Sequence, residues 1–116
     1  KARPQSLEAA TAANAAIALI RTAAEEYEEG VKEGKIVELH EYQDAWGFMH
    51  VAAQILASLS DEERNEHKVE IGNMETELGK LGKLWPDVAG KMPVNGSAKE
   101  LFTAAARMEL AALDIK

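Results

Sequence analysis

Residues 26–50 read EYEEGVKEGKIVELHEYQDAWGFMH, and the way this stretch turns decides the fold. On its N-terminal side, apolar or small residues fall at 10, 13, 17, 20, 24, 27 and 31, from Ala10 through Ile17, Ile20 and Ala24 to Tyr27 and Val31. That alternating three–four spacing is one face of a long helix. It predicts an opening near Ser6 and a close at Gly34, where glycine suits a left-handed turn. On the C-terminal side, Leu39, Tyr42, Trp46, Met49, Ala53 and Leu56 form a second stripe, flanked by Ala45, Phe48, Ala52, Ile55 and Leu59. A helix apolar over so wide an arc is expected to be heavily buried. The quoted stretch is therefore the corner between two antiparallel helices. With the turn centred near residue 35, Tyr27 and Tyr42 face each other across it. Glu41 lies three residues into the second helix, where its carboxylate can reach back to the Glu38 N–H and suits the positive helix end. Two rings packed at a capped corner account for much of the stretch on structural grounds alone.

Downstream, Ser60-Asp61-Glu62-Glu63 reads as a capping box, with Ser60 as the cap and Glu63 reaching back. A third stripe runs Ile71, Met74, Leu78, Leu81 and Trp85 and stops at Pro86. Residues 86–96, PDVAGKMPVNG, hold two prolines and two glycines and form the one long connection. Ser97 to Glu100 is a second capping box, opening a helix with Leu101, Ala105, Met108, Ala112 and Ile115 on one side. No segment shows sustained two-residue alternation, so no strands are expected. The predicted fold is all-α: one domain over residues 1–116, an antiparallel up-and-down four-helix bundle with helices near 6–33, 38–59, 61–85 and 97–114. Gly47, Gly72, Gly79 and Gly82 fall inside these helices, each costing about 1 kcal/mol against alanine. Gly72, Thr76 and Gly79 share a face, which points to a close helix approach; a break near Gly79 to Gly82 is the alternative.

Composition excludes several function classes. A 47% hydrophobic content over 116 residues supports a packed core without staples. There is no cysteine, hence no disulfide frame, thiolate metal site or haem attachment. A net charge of −7 disfavours nucleic acid, whose phosphates need a cationic surface, and suits metal cations or basic partners. No apolar run approaches the roughly 18 residues of a membrane span. The chain opens at Lys1 with neither an initiator methionine nor a leader-like segment, as expected of a mature or trimmed chain.

The pattern Tyr27-x3-Val31-x2-Gly34-x2-Val37-x3-Glu41-Tyr42, continuing to Asp44 and Phe48, resembles the extracytoplasmic helical region of bacterial high-affinity iron permeases. Those proteins join such a region to a transmembrane permease, sometimes with a cytochrome c segment between. The detailed match covers residues 17–59. Two family features are missing, the R-E-x-x-E motif of a membrane helix and a C-x-x-C-H haem motif, so this chain is not itself expected to conduct or reduce iron. The resemblance implies a soluble accessory domain, or a stand-alone relative, facing the periplasm. The leading expectation is a non-enzymatic bundle of an iron-uptake system that binds a metal ion or docks on a membrane iron permease.

Metal-ligating residues give the sharpest candidate chemistry. Folding the second hairpin about Ser60 brings residue 50 opposite residue 70, so His50, His67 and Glu70 are expected to converge between helices two and three. Imidazole and carboxylate suit iron, zinc or copper(II), and Met74 or Met108 nearby would favour copper(I). A histidine hydrogen-bonded to a carboxylate is the structural alternative. His40 and Asp44, four apart on one helix face, are a second choice. Glu25, Glu26, Glu28 and Glu29 end the first helix, where its dipole disfavours them; they point to cation attraction or simply a solvated face. No histidine follows a glutamate by three, which argues against a ferritin-like di-iron oxidase. EHKVEIG does not keep the H-x-x-K-G spacing of a phosphotransfer bundle, and no serine or cysteine nucleophile has a partner set. The competing reading is a metal-free interaction module whose apolar stripes build the bundle or a dimer.

Overall fold

The computed structural model describes residues 8–115. Helix α1 spans Ala9–Gly30, α2 Leu39–Ala57, α3 Asp61–Glu66, α4 Lys68–Gly79 and α5 Ala98–Ala112. Ser6, the expected start of the first helix, lies outside the described residues. Helix α1 packs most extensively on α2 and next on α5, while α4 packs on α5 and only slightly on α2. The packing pairs are therefore α1 with α2, α4 with α5 and α5 with α1, while α2 and the third helical segment barely meet. The result is an antiparallel bundle whose third member is divided into α3, α4 and a short terminal turn.

Alanine makes the tight side of the bundle possible. Ala9, Ala12, Ala13, Ala16, Ala23 and Ala24 of α1 are all buried, with Ile17, Ile20 and Tyr27 as the larger members of the same face. Small side chains let α2 and α5 approach the α1 backbone while alanine keeps the helix propensity high. The opposite walls supply bulk: Ile71, Met74 and Leu78 from α4, and Leu101 and Met108 from α5. Helix α2 departs from the expectation of heavy burial. It buries Tyr42, Ala45, Ala52 and Leu56. Trp46, Phe48, Met49, Ala53 and Ile55 are only partly covered, because α4 scarcely reaches that side.

The expected absence of strands is corrected at the first corner. Val31–Lys32 (β1) and Lys35–Ile36 (β2) form a minimal antiparallel hairpin, pairing Val31 with Ile36 and Lys32 with Lys35. Its turn holds Glu33 at φ 52° and Gly34 at φ 78°. Two consecutive positive φ values are the type I′ geometry that matches strand twist. Gly34 thus turns the hairpin; α1 ends four residues earlier, at Gly30. Four residues of strand are too few to show a two-residue period, which is why the sequence pattern reads as helix throughout.

The third helix, expected over 61–85, breaks twice. His67 leaves helical geometry at φ −120° and ψ 41°. Helix α4 ends at Gly79, and a short 3-10 turn covers Gly82–Leu84. Of the two explanations for the glycines, the break is the right one: a Cβ added at Gly72 or Gly79 would meet nothing within 4 Å. Ser60 accepts from the Glu63 amide as expected, at 3.2 Å. The Glu63 carboxylate does something else, accepting from the Ala9 amide at 2.8 Å and so capping the first turn of α1. The Ser97–Glu100 capping box forms in full.

Candidate metal site at the first helical corner

Tyr27 and Tyr42 are both completely buried. Their ring centroids lie 5.8 Å apart, and Trp85 stands edge-on to Tyr27 at 5.4 Å and 88°. Each polar handle is satisfied by backbone: the Tyr27 hydroxyl donates to the Leu84 carbonyl at 2.8 Å, and Trp85 Nε1 donates to the Tyr42 carbonyl at 2.9 Å. The Tyr42 hydroxyl reaches the Asp87 carbonyl at 3.3 Å, and Gln43 donates to the Val88 carbonyl at 3.1 Å. The long connection after Trp85 is thereby tied to the first corner. Asp87 folds that connection locally, accepting from the Ala89 and Lys91 amides at 3.2 and 3.0 Å.

Gly30 sets how close α1 and α2 come. Its carbonyl accepts from the Val37 and Glu38 amides at 2.8 and 3.2 Å. A Cβ there would lie 2.7 Å from the Tyr42 nitrogen and 3.0 Å from the Glu38 oxygen. The Glu38 amide is therefore taken by Gly30, and the expected capping role of Glu41 gives way to another. Glu41 joins Glu26 and Asp44, the three offering carboxylate oxygens within 4.8 Å of one another. Glu26 directly precedes Tyr27 on α1, Glu41 directly precedes Tyr42 on α2, and Asp44 is one turn beyond Glu41. Packing the two rings inside the corner brings the two preceding carboxylates together outside it. The Glu26 carboxyl is pushed up by partial burial, then by the charges of Glu29, Asp44, Glu41 and Glu25.

The tyrosines carry their own pH dependence. Burial is the main cause raising both phenols, aided at Tyr27 by Tyr42 and Glu100, and at Tyr42 by Asp87. The folded state thus favours the neutral phenols. Their contribution is complete below the ordinary tyrosine value of 10.0 and is lost as pH rises through it towards the folded values. Unfolding free energy measured against pH is expected to fall above about pH 10, and Tyr27→Phe should flatten that fall. A profile unchanged by the substitution would contradict it.

The other sequence candidates are placed differently. His50 is exposed and stacks on Trp46 with centroids 5.0 Å apart and planes 14° from parallel. His67, at the break between α3 and α4, faces a cleft lined by Glu8, Ala9, Ala10, Glu63 and Glu66, with Nε2 4.0 Å from Glu66 Oε2. Glu70 is half-buried on α4. Among the described residues, His50, His67 and Glu70 do not form a set with ligand atoms within 4.8 Å of one another, and Glu26, Glu41 and Asp44 do. The physical reason is the slight contact between α2 and α4, which leaves the expected meeting place open. Met74 and Met108 are fully buried core residues. His40 is exposed and outside the carboxylate set, although its partner Asp44 belongs to it. Of the resembling motif, Val31 is buried and Phe48 half-buried, while Val37 is 51% exposed. Glu26 is the residue that spacing alone passes over as one of an acidic run. Its signal is the Glu-Tyr pair repeated at 26–27 and 41–42, on either side of one corner.

A family model for the iron permease-associated 4-helix bundle domain matches residues 2–112. The chain belongs to this family. Neither a curated protein nor a solved structure matches it. An iron permease-associated bundle is an accessory domain rather than a catalytic one. Among the described residues of this one, no helix is long and apolar enough to cross a membrane.

Proposed function

We propose that this bundle is an extracytoplasmic accessory domain of an iron permease and that it holds a hard metal cation at Glu26, Glu41 and Asp44. The observation that carries the reading is the convergence of three carboxylates from two helices within 4.8 Å. Like charges so close repel, and a cation between them relieves the repulsion while using all three as ligands. An all-oxygen donor set suits hard ions such as iron in its higher oxidation state, manganese or calcium, and disfavours copper(I), which prefers thioether or thiolate. The placement is also suitable. Both helices are fixed by the buried ring cluster beneath, so the carboxylates are held by packed elements rather than by a loop. Membership of the permease-associated family supports iron as the physiological cation and a membrane permease as the partner.

Isothermal titration of chelator-stripped protein with manganese, calcium and ferric citrate tests the site, with zinc as the softer comparison. Binding is expected for the unaltered protein, with a rise in unfolding temperature; at a hundredfold excess over Kd the stabilisation is about 2.7 kcal/mol. Glu26→Gln with Asp44→Asn should abolish both, and His50→Ala with His67→Ala should change neither. Loss in the histidine variant alone would move the site to the imidazoles. No binding of any ion to the unaltered protein would leave the metal-free interaction bundle as the better reading.

A further inference from the structure

The groove between α4 and α5 reverses the charge of the chain as a whole. Overall, 13 lysines and arginines stand against 20 aspartates and glutamates. Around this groove Lys80, Lys83, Lys99 and Arg107 stand against only Glu77 and Glu100. Both carboxylates are already engaged. Glu77 meets Lys80 Nζ at 3.1 Å and Arg107 Nη1 at 3.9 Å, and Glu100 meets Lys83 Nζ at 3.3 Å. Lys99 has no ion-pair partner among the described residues. Leu81 and Ala104 close the floor and are themselves buried, so the face a ligand meets is formed by the charged walls. Lys99, Thr103 and Arg107 recur every four residues on α5, so this wall extends about 12 Å along the helix at ~1.5 Å per residue. The open cleft holds about 230 Å³.

We propose that this groove docks an acidic, extended peptide segment of a partner protein. The segment's carboxylates would meet the cations on the two walls. Charge complementarity selects the partner. Lys83 and its partner Glu100 are 73% and 37% exposed, so that pair contributes little and Lys83 exchanges readily for an incoming carboxylate, while Glu77 keeps Lys80. A compact inorganic anion reaches only one or two of these cations, whereas an extended acidic segment can follow the row along α5 from Lys99 to Arg107, which favours a peptide. The chain's net negative charge does not prevent this, because charges beyond a Debye length of about 8 Å are screened at physiological salt and the nearest cations dominate. No residue of the groove belongs to the carboxylate set at the first corner, so the two proposals stand or fall separately.

The test is fluorescence anisotropy with a short labelled peptide alternating glutamate and leucine. Binding is expected at low ionic strength and should weaken as salt rises. Lys99→Glu with Arg107→Glu should weaken it by about tenfold or more. Glu26→Gln with Asp44→Asn, tested in parallel, should leave it unchanged. A peptide of the same length alternating lysine and leucine should not bind. Circular dichroism and thermal unfolding check the variants; if the charge reversals do not fold, Lys83→Ala with Lys99→Ala reads the same face through two exposed side chains. No peptide binding at low salt overturns the proposal, as does binding that the groove variants leave intact. Vesicles containing phosphatidylglycerol form the second arm. If these bind and lose binding in the groove variants while the peptide does not bind, the face takes a lipid surface and the proposal is wrong.

Discussion

Trp85→Ala is expected to lower the unfolding free energy by about 3–5 kcal/mol, the range for truncating a buried tryptophan. The indole packs edge-on to Tyr27 and lies 6.4 Å from Tyr42, so its loss opens a cavity beside two completely buried rings. It also removes the Nε1 donor to the Tyr42 carbonyl, at 2.9 Å, one of the few bonds tying the end of the third helical segment to α2. Urea denaturation monitored by far-ultraviolet circular dichroism measures the loss. Trp85→Phe separates the two effects: it keeps most of the ring area and removes the hydrogen bond, at an expected cost of about 1–2 kcal/mol. If the alanine variant lost less than about 1 kcal/mol, closer to an exposed-surface substitution, the ring cluster would not be the clamp of the bundle.

That clamp explains how much of the fold the sequence carries openly. The apolar stripes of α1, α4 and α5 are legible because a helix packed along one face leaves a regular three–four spacing, and every member from Ile71 to Trp85 on the third stripe is buried. The contact between Tyr27 and Tyr42 follows from the same spacing reflected about the corner. What pairs with them does not. Trp85 is 58 residues from Tyr27 in sequence, and its arrival depends on where the third helical segment ends. The break at His67 has no glycine or proline to mark it. It falls where neighbouring side chains are drawn to other elements: Glu63 to the start of α1, and Arg64 to the Leu56 carbonyl at 2.7 Å and Glu75 at 2.7 Å.

The candidate site divides in the same way. Local spacing on a helix gives Glu41 and Asp44 as near neighbours, and no local rule adds Glu26. Spacing also makes His50 and His67 attractive by treating the second hairpin as a straight fold-back about Ser60. The structure bends the third segment at His67 and leaves α2 and α4 in slight contact. His50 then packs on its own helix, against Trp46. Capping chemistry misleads for a related reason. Glu41 and Glu63 both occupy positions that suit reaching back to their own helix start. Yet the Glu38 amide is already bonded to Gly30, and Glu63 finds the unpaired amides of α1.

Gly30→Ala is the substitution expected to report most directly on the corner, with a loss of about 3 kcal/mol, the upper end for overpacking. Alanine in a helix ordinarily stabilises by about 1 kcal/mol over glycine, so a large loss would run against propensity and would need a tertiary cause. The cause is backbone. The new Cβ would lie 2.7 Å from the Tyr42 nitrogen, 3.0 Å from the Glu38 oxygen and 3.2 Å from the Glu41 carbonyl carbon. No rotamer can relieve that, so α2 must move away from the end of α1, loosening the bonds from Val37 and Glu38 to the Gly30 carbonyl. Gly72→Ala is the internal control: open space surrounds that position, and stabilisation of about 0.4–1 kcal/mol is expected. Chemical denaturation of the two variants side by side reads both. The displacement should also separate Glu26 from Glu41, so under the proposed function Gly30→Ala should lose metal-dependent stabilisation even where the protein still folds. If Gly30→Ala proved as stable as the unaltered chain within about 0.5 kcal/mol, an ordinary surface effect, the two helices would not be in backbone contact at this corner. The carboxylate set would then lose the packing argument that holds it together.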